Sequence, residues 1–421
     1  MKRTVALNHW RFLSFLAAQF LSAFNDNAFK LVVSMASLSM FTDAAKQQSY
    51  LATTSALAIL PFILFSGYAG YFADRYSKSN VLRISKSFEI LAMFAALIIF
   101  MTGQSITHLL VTLFLLATHS AFFSPSKYGI LPEILRAEDL PKANGYLNML
   151  TFLAIILGSL SGATLWGTYK AAPAIIGVIL TAIAIIGTVL CLFVPPSRSG
   201  DPQKKFSLNP IGEIIATVRF LHSHALLAAC MVGTAMFWML GALIYLSLIM
   251  LGKQQLGLSE AGAGSLFAFL ATGIALGSVI AGYVIGKTIH RSLIVWGGLL
   301  LGVGSVCVGL LAQDYTTTAA LITLVGMGGG LFVVPVVTLL QKHSPVEMRG
   351  QILASSSFFD MVGVLLASGL FWLLGAKLNL GASHIIMTAG AISLAGLVMV
   401  LIRAPALWHE ARDSLPSWRK R

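Results

Sequence analysis

Charge is what this sequence of 421 residues has least of. Asp, Glu, Lys and Arg make up 10% of it, against about a quarter of an ordinary soluble domain. With 57% hydrophobic residues and a mean hydropathy of +0.85, that scarcity excludes a water-soluble globular chain. No soluble core could take up a dozen apolar runs of about 20 residues. Cysteine is scarce too. Cys191, Cys230 and Cys307 lie far apart within apolar runs and lack metal-ligand spacing, so they are read as small buried hydrophobes. Enzyme signatures are missing as well: none of the nine histidines is followed five residues later by Asp, no His/Glu set clusters as metal ligands, and no G-x-S-x-G stands in a polar context. The sequence therefore predicts no enzyme, no cofactor and no metal.

Apolar length is what the chain has in abundance. Spans are expected at 12–41, 50–73, 81–102, 108–124, 144–167 and 172–194. After the polar stretch "PPSRSGDPQKKFSLNPIGEIIATVRF" they resume at 222–251, 259–286, 292–312, 317–341, 351–374 and 382–402. This describes an all-α membrane protein of twelve transmembrane helices in two six-helix halves, 1–194 and 222–421. The linker of 195–221 is expected to turn helical at its end. The N-terminal "MKRTVALNHWRFLSFLAAQF" has the basic start of a signal peptide, but its apolar run is too long and has no cleavage site, so it reads as a retained first span.

The net charge of +13 follows the topology. Of the 28 Lys and Arg, 23 fall on the side of the termini, Lys46, Lys170, Lys253 and Lys377 fall on the other, and Lys30 lies inside span 1. The positive-inside rule puts both termini and the linker in the cytoplasm. The terminal "WRKR" is expected near anionic headgroups, and nucleic acid is not the partner this charge implies.

Between spans 2 and 3 the chain reads "GYAGYFADRYSKSNVLR". Gly70 permits close helix approach. Asp74 can accept from a helix N-terminus or a basic group, with Arg75 and Lys78 completing a candidate cytoplasmic gate. The matching loop after span 8, "GYVIGKTIHRS", keeps Gly282 but has Gly286 at the aspartate position. The loop and the two-half layout resemble the major facilitator superfamily, which implies an alternating-access transporter.

Polar residues within the spans mark the candidate substrate site, because lipid cannot satisfy them. "FLSAFNDNAFKLVV" puts Asn25, Asp26, Asn27 and Lys30 in span 1, where one ionised side chain costs about 2.5–3.5 kcal/mol at the bilayer centre. Asp26 and Lys30, four apart on one face, are able to pair. Lys127 follows a Ser-Pro-Ser bend in span 4. His119, two turns earlier, reads as a hydrogen-bonding histidine. Asn144 and Asn148 open span 5, placed to bridge helices or touch a headgroup. Tyr245 lies in span 7 beyond Phe237 and Trp238, and Asp360 lies deep in span 11. Glu89 in span 3 is read as neutralised by Arg83 or Lys86.

The segments "AQFLSAFNDNAFK", "FSPSKYGILPEIL", "KANGYLNMLTFLAIILGSLSG" and "GMGGGLFVVPVVTLLQ", in order along the chain, resemble the bacterial lysophospholipid transporters of that superfamily. Asp26 matches the family's span-1 Asp, Lys127 the lysine of S-P-x-K-Y-G, and Asp360 stands where members tend to carry an acid. Tyr245 stands where some short members have Arg. N-D-N-x-x-K with Lys30 is similar to longer members fused to acyltransferase and acyl-carrier ligase domains. The resemblance implies that lysophospholipids, mainly lysophosphatidylethanolamine, move from the outer to the inner leaflet of the bacterial inner membrane. Reacylation by separate enzymes would follow. The rival of the same fold is a proton-coupled transporter of another amphipathic solute, such as a drug, siderophore or metabolite.

Overall fold

The computed structural model describes residues 4–41, 43–103, 105–285 and 292–403, and every long element among them is a helix. A chain without water around it must satisfy its backbone internally, which a helix does residue by residue. A long helix falls on each expected span. In the first part of the chain these are α1 (Trp10–Met40), α2 (Ala44–Arg75), α3 (Lys78–Thr102), α4 (Ile106–Gly129), the short α5 (Leu131–Ile134), α6 (Leu140–Tyr169) and α7 (Ala174–Leu192). The linker ends in α8 (Pro210–His222), opened by a proline at its first position and capped by Asn209, which accepts from Gly212 N at 2.8 Å. Then follow α9 (Ala225–Gln254), α10 (Glu260–Val284), α11 (Ser292–Leu311), α12 (Tyr315–His343), α13 (Arg349–Trp372) and α14 (Ala382–Arg403). Among the described residues, eleven helices are long and apolar enough to cross a membrane. Helix α1 has the length, 31 residues, but its central Asn25, Asp26, Asn27 and Lys30 dilute its apolar character. The chain is an all-α, multi-pass membrane protein.

The chain divides into two compact units. Unit 1 takes Met1–Arg136, Ala154–Ser223 and Ser344–Phe358; unit 2 takes Ala137–Leu153, His224–His343 and Phe359–Arg421. Helices α6 and α13 thus each contribute one part to either unit.

In unit 1 the apolar core runs between α1, α3, α4 and α7, around Phe29, Val32, Met93, Leu113 and Leu180. The second part of α6 joins α1 through Gly158 and Gly162. A Cβ on either would strike the carbonyl of Phe24 or Ala28, so only glycine permits the approach. The linker is docked rather than loose. Ser197 and Ser79 exchange backbone-to-hydroxyl bonds of 3.0 and 3.1 Å, and Gly200 and Asp201 N both donate to the Asp74 carbonyl at 3.0 Å. Phe206 stacks on Tyr68, whose hydroxyl donates to Leu208 O at 2.9 Å.

Unit 2 is built on α10 and α12. Gly273 and Gly277 of α10 face the backbone of Thr323 and Met327, while Gly326 and Gly330 of α12 face Leu270 and Ile274 in return. Two small-xxx-small faces meet here, where lipid supplies no hydrophobic drive and close backbone packing must substitute for it.

Candidate functional site

Asp26 is the centre of the polar face of α1, and its partner is not Lys30. Its Oδ2 accepts from Ser120 Oγ of α4 at 2.5 Å, and Oδ1 has no hydrogen-bond partner. Lys127, on the same helix as Ser120, and Lys86 of α3 both have electrostatic reach to Asp26, and the Lys127 ammonium lies 4.8 Å from the Tyr128 ring centroid. The i, i+4 spacing permits an Asp26–Lys30 pair. The structure does not form it; among the described residues, the one hydrogen bond to the carboxylate comes laterally from α4. Lys30 makes no ion pair among the described residues, and Asn27 donates back to the Ala23 carbonyl at 2.7 Å.

Asn25 makes packing contacts in the structure. It is fully buried, and its amide donates to Glu89 Oε1 at 3.3 Å and to the Leu180 carbonyl at 3.2 Å, which commits the donor to interhelical packing. It belongs to a cluster of which the sequence joins only Glu89 and Lys86. Glu89 Oε2 accepts from Ser22 Oγ at 2.7 Å and from the Lys86 ammonium, and it lies 3.4 Å from His119 Nε2. The His119 Nδ1 is 3.3 Å from Ser120 Oγ, so the cluster continues to Asp26. Arg83 plays no part in neutralising Glu89, since it donates to the carbonyls of Leu192 and Val194 at the end of α7. Lys86 and Glu89, three apart inside a span, carried the same signal as Asp26 and Lys30; applied to span 3, it finds the pair.

At the α2–α3 turn, Asp74 is buried and fully engaged. Its Oδ1 accepts from Gly350 N at 2.6 Å, and its Oδ2 from Gln351 N at 3.0 Å and from Lys204 Nζ at 2.9 Å. It thereby caps the first turn of α13, whose free N–H groups favour an anion. Gly70 makes the approach possible, since a Cβ there would lie 2.8 Å from Gln351 Cα. Lys78 forms a buried ion pair with Glu133 Oε1 at 2.7 Å, its stem passing over Gly129, and the Arg75 carbonyl accepts from Ser199 Oγ at 2.8 Å. Lys204 was not singled out by sequence, because only the docked linker brings it to Asp74. Gly286, at the aspartate position of the second loop, and the terminal "WRKR" lie outside the described residues.

In unit 2, Asn144 of α6 is buried in a reciprocal amide pair with Gln341 of α12, with bonds of 2.8 and 3.0 Å, and donates also to Thr338 Oγ1 at 3.0 Å. Of the two roles open to it, it takes the bridging one. Asn148 donates to Ser278 Oγ at 2.7 Å. Tyr245 is 39% exposed and meets Phe267 edge-on, with centroids 4.7 Å apart. Asp360 is hydrogen-bonded with Thr234 of α9, and its Oδ1 has no partner. Unit 1 also holds an apolar cavity of about 710 Å³ between α2, α3 and α4, walled by Phe72, Ile84, Phe88, Leu115 and Phe122, with His119 at its edge. Among the described residues no group of acids, histidines or cysteines is placed to hold a metal ion.

Known proteins give this architecture its context. The lysophospholipid transporter LplT of Citrobacter koseri is 30% identical over 406 residues, 94% of this chain and 95% of that one. The LplT proteins of Cronobacter sakazakii and Klebsiella pneumoniae are 30% and 28% identical, covering 91% and 85% of this chain and 94% and 87% of theirs. Among solved structures, the transporter FucP in the outward conformation aligns with a TM-score of 0.76 at 10% identity, over 93% of this chain and 98% of that one. A bacterial homologue of the iron transporter ferroportin aligns at 0.69 with 16% identity, over 94% and 98%. Identities this low speak for the fold and not for the cargo. The sequence model of the Major Facilitator Superfamily matches residues 15–368 and 238–419. Taken with the helical architecture, that match makes the chain a transport protein and not an enzyme: it belongs to the Major Facilitator Superfamily.

Proposed function

We propose that this protein carries lysophospholipids, mainly lysophosphatidylethanolamine, by alternating access from the outer to the inner leaflet of a bacterial inner membrane. A separate acyltransferase or acyl-carrier ligase would then restore the second chain. The observation that carries this reading is the opposed charge of Asp26 and Lys127 within the membrane-spanning part of unit 1. A zwitterionic headgroup needs an anion for its ammonium and a cation for its phosphate, and charge-assisted hydrogen bonds to both are the strong ones. Relatedness to lysophospholipid transporters along nearly the whole chain supports the same cargo. The apolar cavity of unit 1 offers a wall for the single acyl chain. Asp360 and Tyr245 are the further contacts proposed from unit 2, and Lys30 a second cation.

In this reading the six-helix halves 1–194 and 222–421 alternate about the 195–221 linker, with both termini cytoplasmic. Gly70, Asp74, Arg75 and Lys78 hold the cytoplasmic side closed, and membrane lipids are the immediate surroundings.

Proteoliposomes given fluorescent lysophosphatidylethanolamine, and separately a fluorescent diacyl lipid, test the proposal. The monoacyl probe should cross and the diacyl probe should not, and Asp26→Asn or Lys127→Ala should slow crossing at least tenfold, about the 1.4 kcal/mol loss of one charge-assisted contact. Transport of both lipids, or of neither, would favour another amphipathic solute.

A further inference from the structure

Ser120 stands between two titratable groups and has one proton to give. Its Oγ donates to Asp26 Oδ2 at 2.5 Å, so toward His119 Nδ1, 3.3 Å away, it can only accept. That contact puts the proton of the neutral ring on Nδ1. Nε2 is then a bare lone pair, buried and facing the Glu89 carboxylate at 3.4 Å. Two lone pairs opposed in a buried site are costly, and a single added proton relieves them.

Filling that position gives two forms of equal composition. In the first, an imidazolium donates from Nε2 to Glu89 and from Nδ1 to Ser120, and Asp26 stays ionised. In the second, the Nδ1 proton has moved to Ser120 and the Ser120 proton to Asp26, while Nε2 keeps its proton toward Glu89. Only hydrogens move between the two. A cation held at Asp26 favours the first form, and its departure favours the second. Facing the relay are Lys86 of α3, which neutralises Glu89 and also acts on Asp26, Lys127 of α4, which acts on Asp26, and Cys191 of α7, near Lys86 and Glu89.

We infer that Glu89, His119, Ser120 and Asp26 form a proton-binding relay, which accepts one proton at His119 Nε2 and delivers it to Asp26. Resting on the reading of Asp26 as the contact for a headgroup ammonium, the relay makes a proton and that ammonium compete for one carboxylate.

Nitrogen-15 histidine NMR on the purified full chain tests the relay without any lipid substrate. The His119 signal, identified by its loss in His119→Gln, should be the Nδ1–H neutral form at the alkaline end. It should gain its second proton on acidification, with a midpoint that Ser120→Ala and Asp26→Asn each displace. Neither variant touches the Lys86–Glu89 pair. A ring that stays neutral throughout, or protonates identically in both variants, overturns the relay. Coupling is read by adding lysophosphatidylethanolamine to lightly buffered protein at the acidic end with a pH-indicating dye. One proton should be released per lipid bound, and binding without release overturns the competition. Absence of binding refutes the lysophospholipid reading alone, and the NMR titration still decides the relay.

Discussion

Taking the charge off Glu89 would strand the Lys86 ammonium, which has no exposed surface and, among the described residues, no other carboxylate in contact. Breaking a buried pair from one side costs about 3–5 kcal/mol, whereas replacing both partners with apolar side chains is often neutral. Glu89→Gln should therefore lower the thermal unfolding midpoint in detergent sharply, and Lys86→Met combined with Glu89→Leu should recover most of the loss. Equal damage in the single and double variants would mean that the pair does not act as a unit. At this scale the sequence was legible as composition and, at Lys86 and Glu89, as pairing within one helix, but not as pairing between helices. Asp26 stands out because an acid in a span is rare. Its partner could not be read, because Ser120 lies 94 residues away on another helix, while the spacing pointed to Lys30. Asn25 and Asn144 were equally visible as buried amides, and only packing decides that their donors go to Glu89 and Gln341.

Helix α13 begins on a side chain from α2. Asp74 accepts from its Gly350 and Gln351 amides and from Lys204, so Asp74→Ala leaves two buried N–H groups and a lysine without an acceptor. Each buried group left unsatisfied costs about 1–3 kcal/mol. Hydrogen exchange at Gly350 and Gln351 should accelerate strongly in Asp74→Ala. It should change little in Lys204→Gln, which removes a partly exposed cation but leaves both backbone bonds. Similar acceleration in the two variants would move the weight from the cap to the ion pair. The motif from Gly70 to Lys78 was legible because Gly-x-x-x-Asp-Arg is a spacing with a mechanical meaning. The helical end of the linker was legible, and α8 forms there, but its docking was not, since nothing in its composition tells a docked segment from a loose one.

Across the whole molecule, the places of the helices were the most readable feature, because lipid leaves the backbone no alternative to helix. Each expected span holds a long helix, and the ends differ by a few residues where polar turns extend past the apolar window, as at Lys127–Gly129 in α4. Orientation rests on the bias of Lys and Arg between alternate loops. An alkaline phosphatase fused after Lys377 should be active and one fused at the C-terminus inactive, with a fluorescent protein giving the reverse pattern. Activity at the C-terminus would invert the topology and, with it, the proposed direction of transport.

The docked linker bears on how this chain could be rebuilt. Loops between membrane helices are the usual places to insert a tag, a reporter or a cleavage site, since they tolerate interruption. Here Gly200 and Asp201 are tied to the Asp74 carbonyl, and Tyr68 holds Leu208. An insertion near position 200 would pull on the same aspartate that starts α13. A segment with the composition of a spacer behaves as a structural edge of unit 1, and a splice there would reach a helix about 150 residues further along the chain.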